Sequence, residues 1–229
     1  MSISIIIPVL NEELYIESLL SFLYNHSDQS QFEVIVVDGG STDNTVNIVK
    51  EFPCKLLFTA ASRARQMNLG AREAKCEILY FVHADVRLAK DFTTEIHKSM
   101  GDGYISGCFS CRFVDPSLLL LKINAFFTRF PFRWCRGGDQ TLFVLRELFY
   151  NLGGYNEEMV IMEDYELIDK LMDQGSFRVI RKDVSISARK YRKNNYLKVQ
   201  LANLKAMKMY RKGESTVRIR EYYSSALKH

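Results

Sequence analysis

Ser2-Ile3-Ser4-Ile5-Ile6-Ile7-Pro8-Val9-Leu10-Asn11-Glu12-Glu13 decides how the rest of the chain is read. Ser2–Val9 is a continuous, mostly β-branched run, which predicts a strand buried on both faces. It stops at Asn11, Glu12 and Glu13. That polar step predicts a turn in which Asn11 caps the next helix, with Glu12 and Glu13 in its first turn and Ile16, Leu19, Leu20 and Leu23 on its apolar face.

The same unit recurs downstream. Phe32–Val37 reads as a second buried strand ending in Asp38-Gly39-Gly40-Ser41-Thr42-Asp43, ahead of a helix over Thr45–Glu51. Lys55–Phe58 is a short third strand, and Ser62–Ala74 a helix with Ala64, Met67 and Ala71 on one side. Ile78–Val82 is a fourth strand, ending in His83-Ala84-Asp85. Repeated strand–helix units predict an α/β fold with a mostly parallel central sheet and helices on both faces. Ligands of such sheets bind beyond the carboxyl ends of the strands. Asn11, Asp38 and Asp85 each follow a strand, so three polar turns are expected to converge on one sheet edge.

The second half is less regular. Tyr104–Val114 reads as a strand, Leu118–Phe130 as a helix and Gln140–Val144 as a strand. Gly153-Gly154-Tyr155 is a turn before a helix over Met162–Gln174, and Phe177–Ile180 and Val184–Ile186 are short edge strands. Tyr196–Lys212 reads as an amphipathic helix with Leu197, Leu201 and Leu204 on its apolar face. Phe130–Gly138 and Gly153–Met162 are expected to rim a site. With 229 residues, no internal repeat and no linker, the chain reads as one domain over 1–229.

Composition narrows the function classes. At 47% hydrophobic and 25% charged residues, the chain is neither disordered nor fibrous. Leu118–Trp134, its greasiest stretch, is broken by Lys122, Arg129, Pro131 and Arg133, which argues against a spanning helix. The N-terminus lacks a signal-peptide pattern, and five scattered cysteines suit reduced thiols, so a cytoplasmic location is expected. Cys108 and Cys111 fall on opposite faces of an expected strand, which makes half a zinc site improbable. Charge is asymmetric: residues 1–175 hold 16 Lys+Arg against 24 Asp+Glu, residues 176–229 hold 15 against 3. Such a basic tail attracts an anionic partner or is simply a solvated face.

No Gly-x-Gly-x-x-Gly follows the first strand, and there is no Walker A loop or Gly-x-Ser-x-Gly elbow. Acids and amides at strand ends remain. Asp38 is placed to accept a base N–H or merely to form its turn. Asp85 is placed to hold a divalent ion against phosphate oxygens, or is a loop residue. Glu163-Asp164 at a helix start suit the helix dipole, and a general base in the same place. Arg63 and Arg65 face phosphates or solvent.

Taken together, Ile5-Ile6-Ile7-Pro8-Val9-Leu10-Asn11-Glu12, Val36-Val37-Asp38-Gly39-Gly40-Ser41-Thr42-Asp43, Asp85 and Glu163-Asp164 resemble a family 2 glycosyltransferase of the GT-A fold. Ser62-Arg63-Ala64-Arg65-Gln66-Met67-Asn68-Leu69-Gly70-Ala71, Val82-His83-Ala84-Asp85, Gly138-Asp139-Gln140 and Ser187-Ala188-Arg189-Lys190-Tyr191 resemble the radical-SAM/selenodomain-associated subgroup. The resemblance implies a nucleotide-binding half over 1–115, an acceptor and catalytic half over 116–195 and a basic helical tail over 196–229. It implies that Pro8, Leu10 and Glu12 line the nucleotide pocket and that Asp38 accepts a uracil-type N–H. Arg63, Arg65 and Asn68 would flank base and diphosphate, with His83, Ala84 and Arg189 beside them. Asp85 would hold Mn²⁺ or Mg²⁺, Asp164 would be the catalytic base and Glu163 would support it. His83 stands where many members carry a first metal-binding Asp.

The implied activity is inverting, metal-assisted transfer from a nucleotide-sugar, by the resemblance a UDP-linked one, to an acceptor hydroxyl, a lipid-linked one included. The basic tail would allow peripheral attachment at the inner face of an anionic membrane, and no nucleic-acid partner is expected. Three other classes fit less of the sequence: a nucleotidyltransferase, a non-catalytic nucleotide-sugar-binding or membrane-recruited partner, and a glycosidase.

Overall fold

A computed structural model of the chain describes residues 1–26, 28–114, 119–136 and 140–227. Leu118, Gly138 and Asp139, named above, lie outside the described residues. In chain order the elements are β1 (Ile3–Val9), α1 (Ile16–His26), β2 (Phe32–Asp38), α2 (Thr45–Lys50), β3 (Lys55–Phe58), α3 (Arg63–Glu73) and β4 (Ile78–Phe81). There follow α4 (Phe92–Gly101), β5 (Ser106–Phe113), α5 (Leu119–Phe127), β6 (Leu142–Leu145), α6 (Arg146–Asn151), α7 (Glu163–Asp173), β7 (Phe177–Ile186), α8 (Arg189–Lys193), α9 (Tyr196–Arg211) and α10 (Thr216–Ala226).

The strands form one sheet in the order β3-β2-β1-β4-β6-β5-β7. Only β6 runs against its neighbours; the β1–β2, β1–β4, β2–β3 and β5–β7 pairs are parallel. The unbroken apolar run of β1 is explained by its place between β2 and β4. Ile3, Ile5, Ile7 and Val9 pack with Leu19, Leu20, Leu23, Phe92 and Ile96 on one face. Ile6 packs with Ile35, Val37, Met67, Ala71, Phe149 and Leu167 on the other. The expected α/β architecture, a mostly parallel sheet with helices on both faces, is the one observed. Gly70 of α3 sits so close to β1 that a Cβ there would overlap Ile6 Cγ2, which accounts for a helix-weakening residue in mid-helix.

Four local expectations are corrected. Asn11 does not cap α1, which begins five residues later; it takes a left-handed conformation, with φ 55°, and braces the next turn. The two short edge strands are one strand, β7, whose register against β5 jumps from Phe109↔Ile180 to Ser110↔Asp183, so an irregularity rather than a chain break separates the halves. The helix α4 was not anticipated, because its buried side, Phe92, Thr93, Ile96 and Ser99, is half polar. In α9 the apolar face is misplaced: Leu197, Leu201 and Leu204 are exposed, and Val199, Ala202, Ala206 and Met209 are buried. Small alanines admit a close approach of α10 and the Met159–Met162 segment, with Ile219 filling the seam.

Candidate active site

The site is built where β1, β2 and β4 end side by side, Val9 level with Asp38 and Ile6 with Phe81. The first two turns clamp each other. Ser41 Oγ accepts from the Asn11 N–H (2.9 Å), and Asn11 Oδ1 accepts from the Thr42 N–H (2.8 Å). Thr45 Oγ1 accepts from the Glu12 N–H (2.8 Å), while Glu13 Oε2 accepts from the Asn44 N–H (2.9 Å). Glu12 and Asp38 are thereby held by rigid backbone. Asp38 Oδ2 accepts from the Gly40 and Ser41 N–H groups at 2.7 and 2.9 Å, and its other oxygen, Oδ1, is buried without a protein donor. Beneath them Gln66 Nε2 donates to both Val9 O and Val37 O at 2.8 Å, tying the ends of β1 and β2. Gln66 was not singled out in the sequence. Its signal is Gly39, since a Cβ there would stand 3.1 Å from the Gln66 amide.

A cleft of about 770 Å³ opens over these strand ends. Its walls include Pro8, Leu10, Glu12, Arg63, His83, Ala84, Asp85, Glu163, Asp164 and Arg189, all sequence-derived candidates now brought together. Arg189, at the start of α8, reaches back so that Nη2 lies 3.6 Å from both Glu12 Oε1 and Asp85 Oδ2, with its guanidinium 5.5 Å from the Tyr15 ring centre. Burial pushes the Glu12 carboxyl above its ordinary range; Arg189 pulls it back down and the Asp85 charge pushes it up. Glu12 Oε2 is buried without a protein donor.

Across the cleft, Met162 at φ 72° turns the chain into α7, presenting Glu163 and Asp164 in the first turn. There the positive end of the helix favours carboxylates. Both acids are buried, and Arg63 Nη1 lies 3.3 Å from Glu163 Oε1 and 3.7 Å from Asp164 Oδ2. Burial, followed by the charges of Asp164 and Glu163, holds the adjacent Tyr155 phenol well above its usual range.

Three candidates are not on the cleft wall. Asp38 lies beside it, at the end of the neighbouring strand. Asn68 faces the other way: its Nδ2 donates to Tyr155 O (2.8 Å) and its Oδ1 accepts from the Tyr155 N–H (3.0 Å), pinning the turn that leads to α7. Arg65 pairs with Glu157 at 3.8 Å in that same segment. Helical spacing explains the split, because Arg63 and Gln66 share the α3 face toward the strand ends and Arg65 and Asn68 are turned away. The Lys and Arg side chains of α9 and α10 are exposed, as a solvated face has them, while these helices also reach the cleft. Asn203, Ala206, Arg220 and Tyr223 of α9 and α10 wall the cleft, Lys190 Nζ donates to Tyr223 Oη (2.6 Å), and Lys205 lies 4.2 Å over the Tyr222 ring.

The model of the family described as glycosyl transferase family 2 matches residues 4–185, which carry every acid of this cleft. The chain belongs to glycosyl transferase family 2. Poly(ribitol-phosphate) beta-N-acetylglucosaminyltransferase TarS of Staphylococcus aureus is 32% identical to this family 2 chain over 99 residues, 40% of this chain and 17% of TarS. The uncharacterized glycosyltransferase YfnE of Bacillus subtilis is 38% identical over 103 residues, 42% of this chain and 26% of YfnE. The matches thus span about a quarter or less of these relatives' own lengths. A crystal structure of TarS in complex with UDP-GlcNAc superposes with a TM-score of 0.66 at 22% identity, covering 82% of this chain and 58% of that one. Mannosyltransferase PcManGT from Pyrobaculum calidifontis, in complex with GDP-Man and Mn2+, gives 0.65 at 20% identity, covering 96% and 69%. The family 2 chain shares the GT-A fold with them.

A hard divalent ion takes oxygen ligands, and Asp85 offers one carboxylate at the cleft wall. Among the described residues no group of three or more His, Cys, Asp or Glu side chains is gathered to hold an ion, so the remaining oxygen ligands of any ion at Asp85 would come from outside the protein. Glu12 is near enough for the Asp85 charge to act on its carboxyl.

Proposed function

We propose that the chain transfers a sugar from a nucleotide-linked donor to an acceptor hydroxyl with inversion of the anomeric carbon. The observation that carries this reading is one cleft holding two separated acid groups: Glu12 and Asp85 at the strand ends, Glu163 and Asp164 at the start of α7. The first pair, bridged by Arg189, suits a diphosphate and its counter-charge; the second suits proton removal. Neighbouring structures in complex with UDP-GlcNAc, GDP-Man and Mn2+, or UDP and Mg2+ support a nucleotide-sugar donor and a divalent ion. Asp38 Oδ1, a buried acceptor lacking a donor, supports a base that presents an N–H, as uracil does at N3.

In this reading the diphosphate lies against Arg189, which turns from Glu12 and Asp85 as the stronger anion arrives, and near Arg63, which stays paired with Glu163. Asp85 would hold Mn²⁺ or Mg²⁺, which when bound supplies Lewis-acid stabilisation of the departing diphosphate. His83, beside Asp85 on the cleft wall, turns an imidazole rather than a second carboxylate toward ribose or phosphate. Asp164 takes the proton of the acceptor hydroxyl as that oxygen bonds to the anomeric carbon, and the pair in the breaking C–O bond leaves with the diphosphate. Glu163, buried against Arg63, orients the guanidinium and the first turn of α7. Arg65 and Asn68 act indirectly, by fixing the Tyr155–Glu157 segment. The subgroup suggested by the Ser62–Ala71 and Val82–Asp85 stretches is part of this proposal.

The test is turnover of a panel of nucleotide-sugars with simple acceptors, with product configuration read by proton NMR. An α-linked donor giving a β-linked product is expected; a retained configuration contradicts the single displacement.

A further inference from the structure

A second cleft lies on the far side of β5 and β7, under α5, with a volume of about 600 Å³. Four cationic side chains, Arg87, Arg112, Lys122 and Arg129, line it against a single carboxylate, Asp183. Arg129 is paired with that acid at 2.5 Å, and Arg112 Nε donates to Ser185 Oγ (2.9 Å), so two of the four are pre-oriented. The floor is apolar, made by Phe113, Leu121 and Ala125. Positive potential over an apolar floor suits an anionic head group joined to hydrocarbon.

The helix above it is anomalous for a protein facing water. Of the nine residues of α5, only Leu121 and Ala125 are buried, although seven are Leu, Ile, Ala or Phe. Leu119 is 72% exposed and Phe126 56%. The segment that follows continues the surface: Phe126, Phe127, Phe130, Phe132 and Trp134 form a chain of ring contacts 5.4–6.4 Å apart, with Trp134 itself 60% exposed. Tyr196 Oη donates to Asn124 Oδ1 (3.0 Å), joining the start of α9 to α5, and the exposed Leu197, Leu201 and Leu204 extend the apolar strip along α9. Contiguous exposed apolar surface of this kind marks an interaction site.

We propose that this face docks on an anionic phospholipid bilayer, its aromatic rings entering the interface and the cationic cleft taking a lipid phosphate. Charge complementarity selects this occupant. A second copy of the chain would set one net positive cleft against another, whereas a phosphodiester surface neutralises the excess. Stable attachment takes two signals, such as an apolar insertion and a basic patch, and both are present here. The attachment is independent of the transferase reading, because the cleft under α5 shares no lining residue with the one holding Asp85 and Asp164.

Trp134 is the sole tryptophan, so it reports the contact directly. The experiment titrates the full chain with phosphatidylglycerol vesicles and with phosphatidylcholine vesicles, reading Trp134 emission and co-sedimentation. Expected is a blue shift with the anionic vesicles only, and a fall in affinity of about tenfold or more in each of Phe126→Ser and Lys122→Glu. Asp164→Asn should bind vesicles as the wild type does, which separates a failure here from a failure of the transferase reading. Loss of binding only on Lys205→Glu/Lys208→Glu/Lys212→Glu would move attachment to the tail and overturn the proposal. So would binding of inorganic phosphate without binding of vesicles, or a self-association abolished by Phe126→Ser without vesicle binding.

Discussion

Glu12 and Asp85 share one cation, Arg189, and that arrangement makes the cleft sensitive to a single substitution. Arg189→Ala removes the strongest influence holding the Glu12 titration down, so the Glu12 carboxyl is expected to titrate at higher pH than in the wild type. Carbon-detected NMR of the side chain reads this; an unchanged or lowered titration contradicts the pairing. On the proposed catalytic side, Asp164→Asn keeps size and removes the proposed base. The expected loss in kcat is roughly 10²–10⁴-fold with nucleotide affinity retained, measured by steady-state turnover beside a nucleotide titration. Not all of this was legible in the sequence. The acids were, because each follows a strand or opens a helix. Asn68 was not, because its role depends on Tyr155, 87 residues away, which neighbouring residues do not reveal.

The paired turns and the α3–β1 contact carry stability at the level of elements. Gly70→Ala improves intrinsic helix propensity yet pushes a methyl into Ile6, so net destabilisation of about 1–3 kcal/mol is expected. For a domain of this size that lowers Tm by roughly 2–4 °C per kcal/mol, and a Tm equal to or above wild type would contradict the close packing. The link between β2 and the start of β4 is pH-sensitive. Burial opposes ionisation of Glu33, but hydrogen bonds from Ser4 Oγ, the Lys75 N–H and Cys76 hold its carboxyl below the ordinary 4.5. The unfolded chain therefore binds more protons just below that pH, and stability is lost as pH falls through the folded value. Glu33→Gln is expected to be less stable near neutral pH and to lose less on acidification, as chemical denaturation at a series of pH values will show. Strands were legible where both faces are buried, since a run such as Ser2–Val9 admits few other readings. The face of α9 was not, because leucines normally mark the core and here alanines do.

At the scale of the whole molecule, the parallel half of the sheet supplies the strand-end wall of the cleft, and α7 to α10 wall it from the other side. The tail expected as a basic appendage is part of the wall, and its charge is directed inward at Arg189, Lys190 and Arg220 as well as outward. Among the described residues no helix is long and apolar enough to cross a membrane. The family's convergence of polar turns was readable from the strand–helix repeats; the folding back of α9 and α10 was not, since it depends on tertiary contacts among Met159, Met162, Ala206 and Ile219. The most direct test of the cleft as a donor site is a thermal-shift panel of UDP, GDP, ADP and CDP, with and without Mn²⁺ or Mg²⁺, on the wild type, Asp85→Ala and Asp164→Asn. A ligand at about 100 times its Kd stabilises by about 2.7 kcal/mol. For this chain length that is a rise of roughly 5–11 °C in Tm. A metal-dependent shift with UDP, lost in Asp85→Ala and kept in Asp164→Asn, is the expected result. No shift with any nucleotide, or an equal shift in Asp85→Ala, would contradict the assignment.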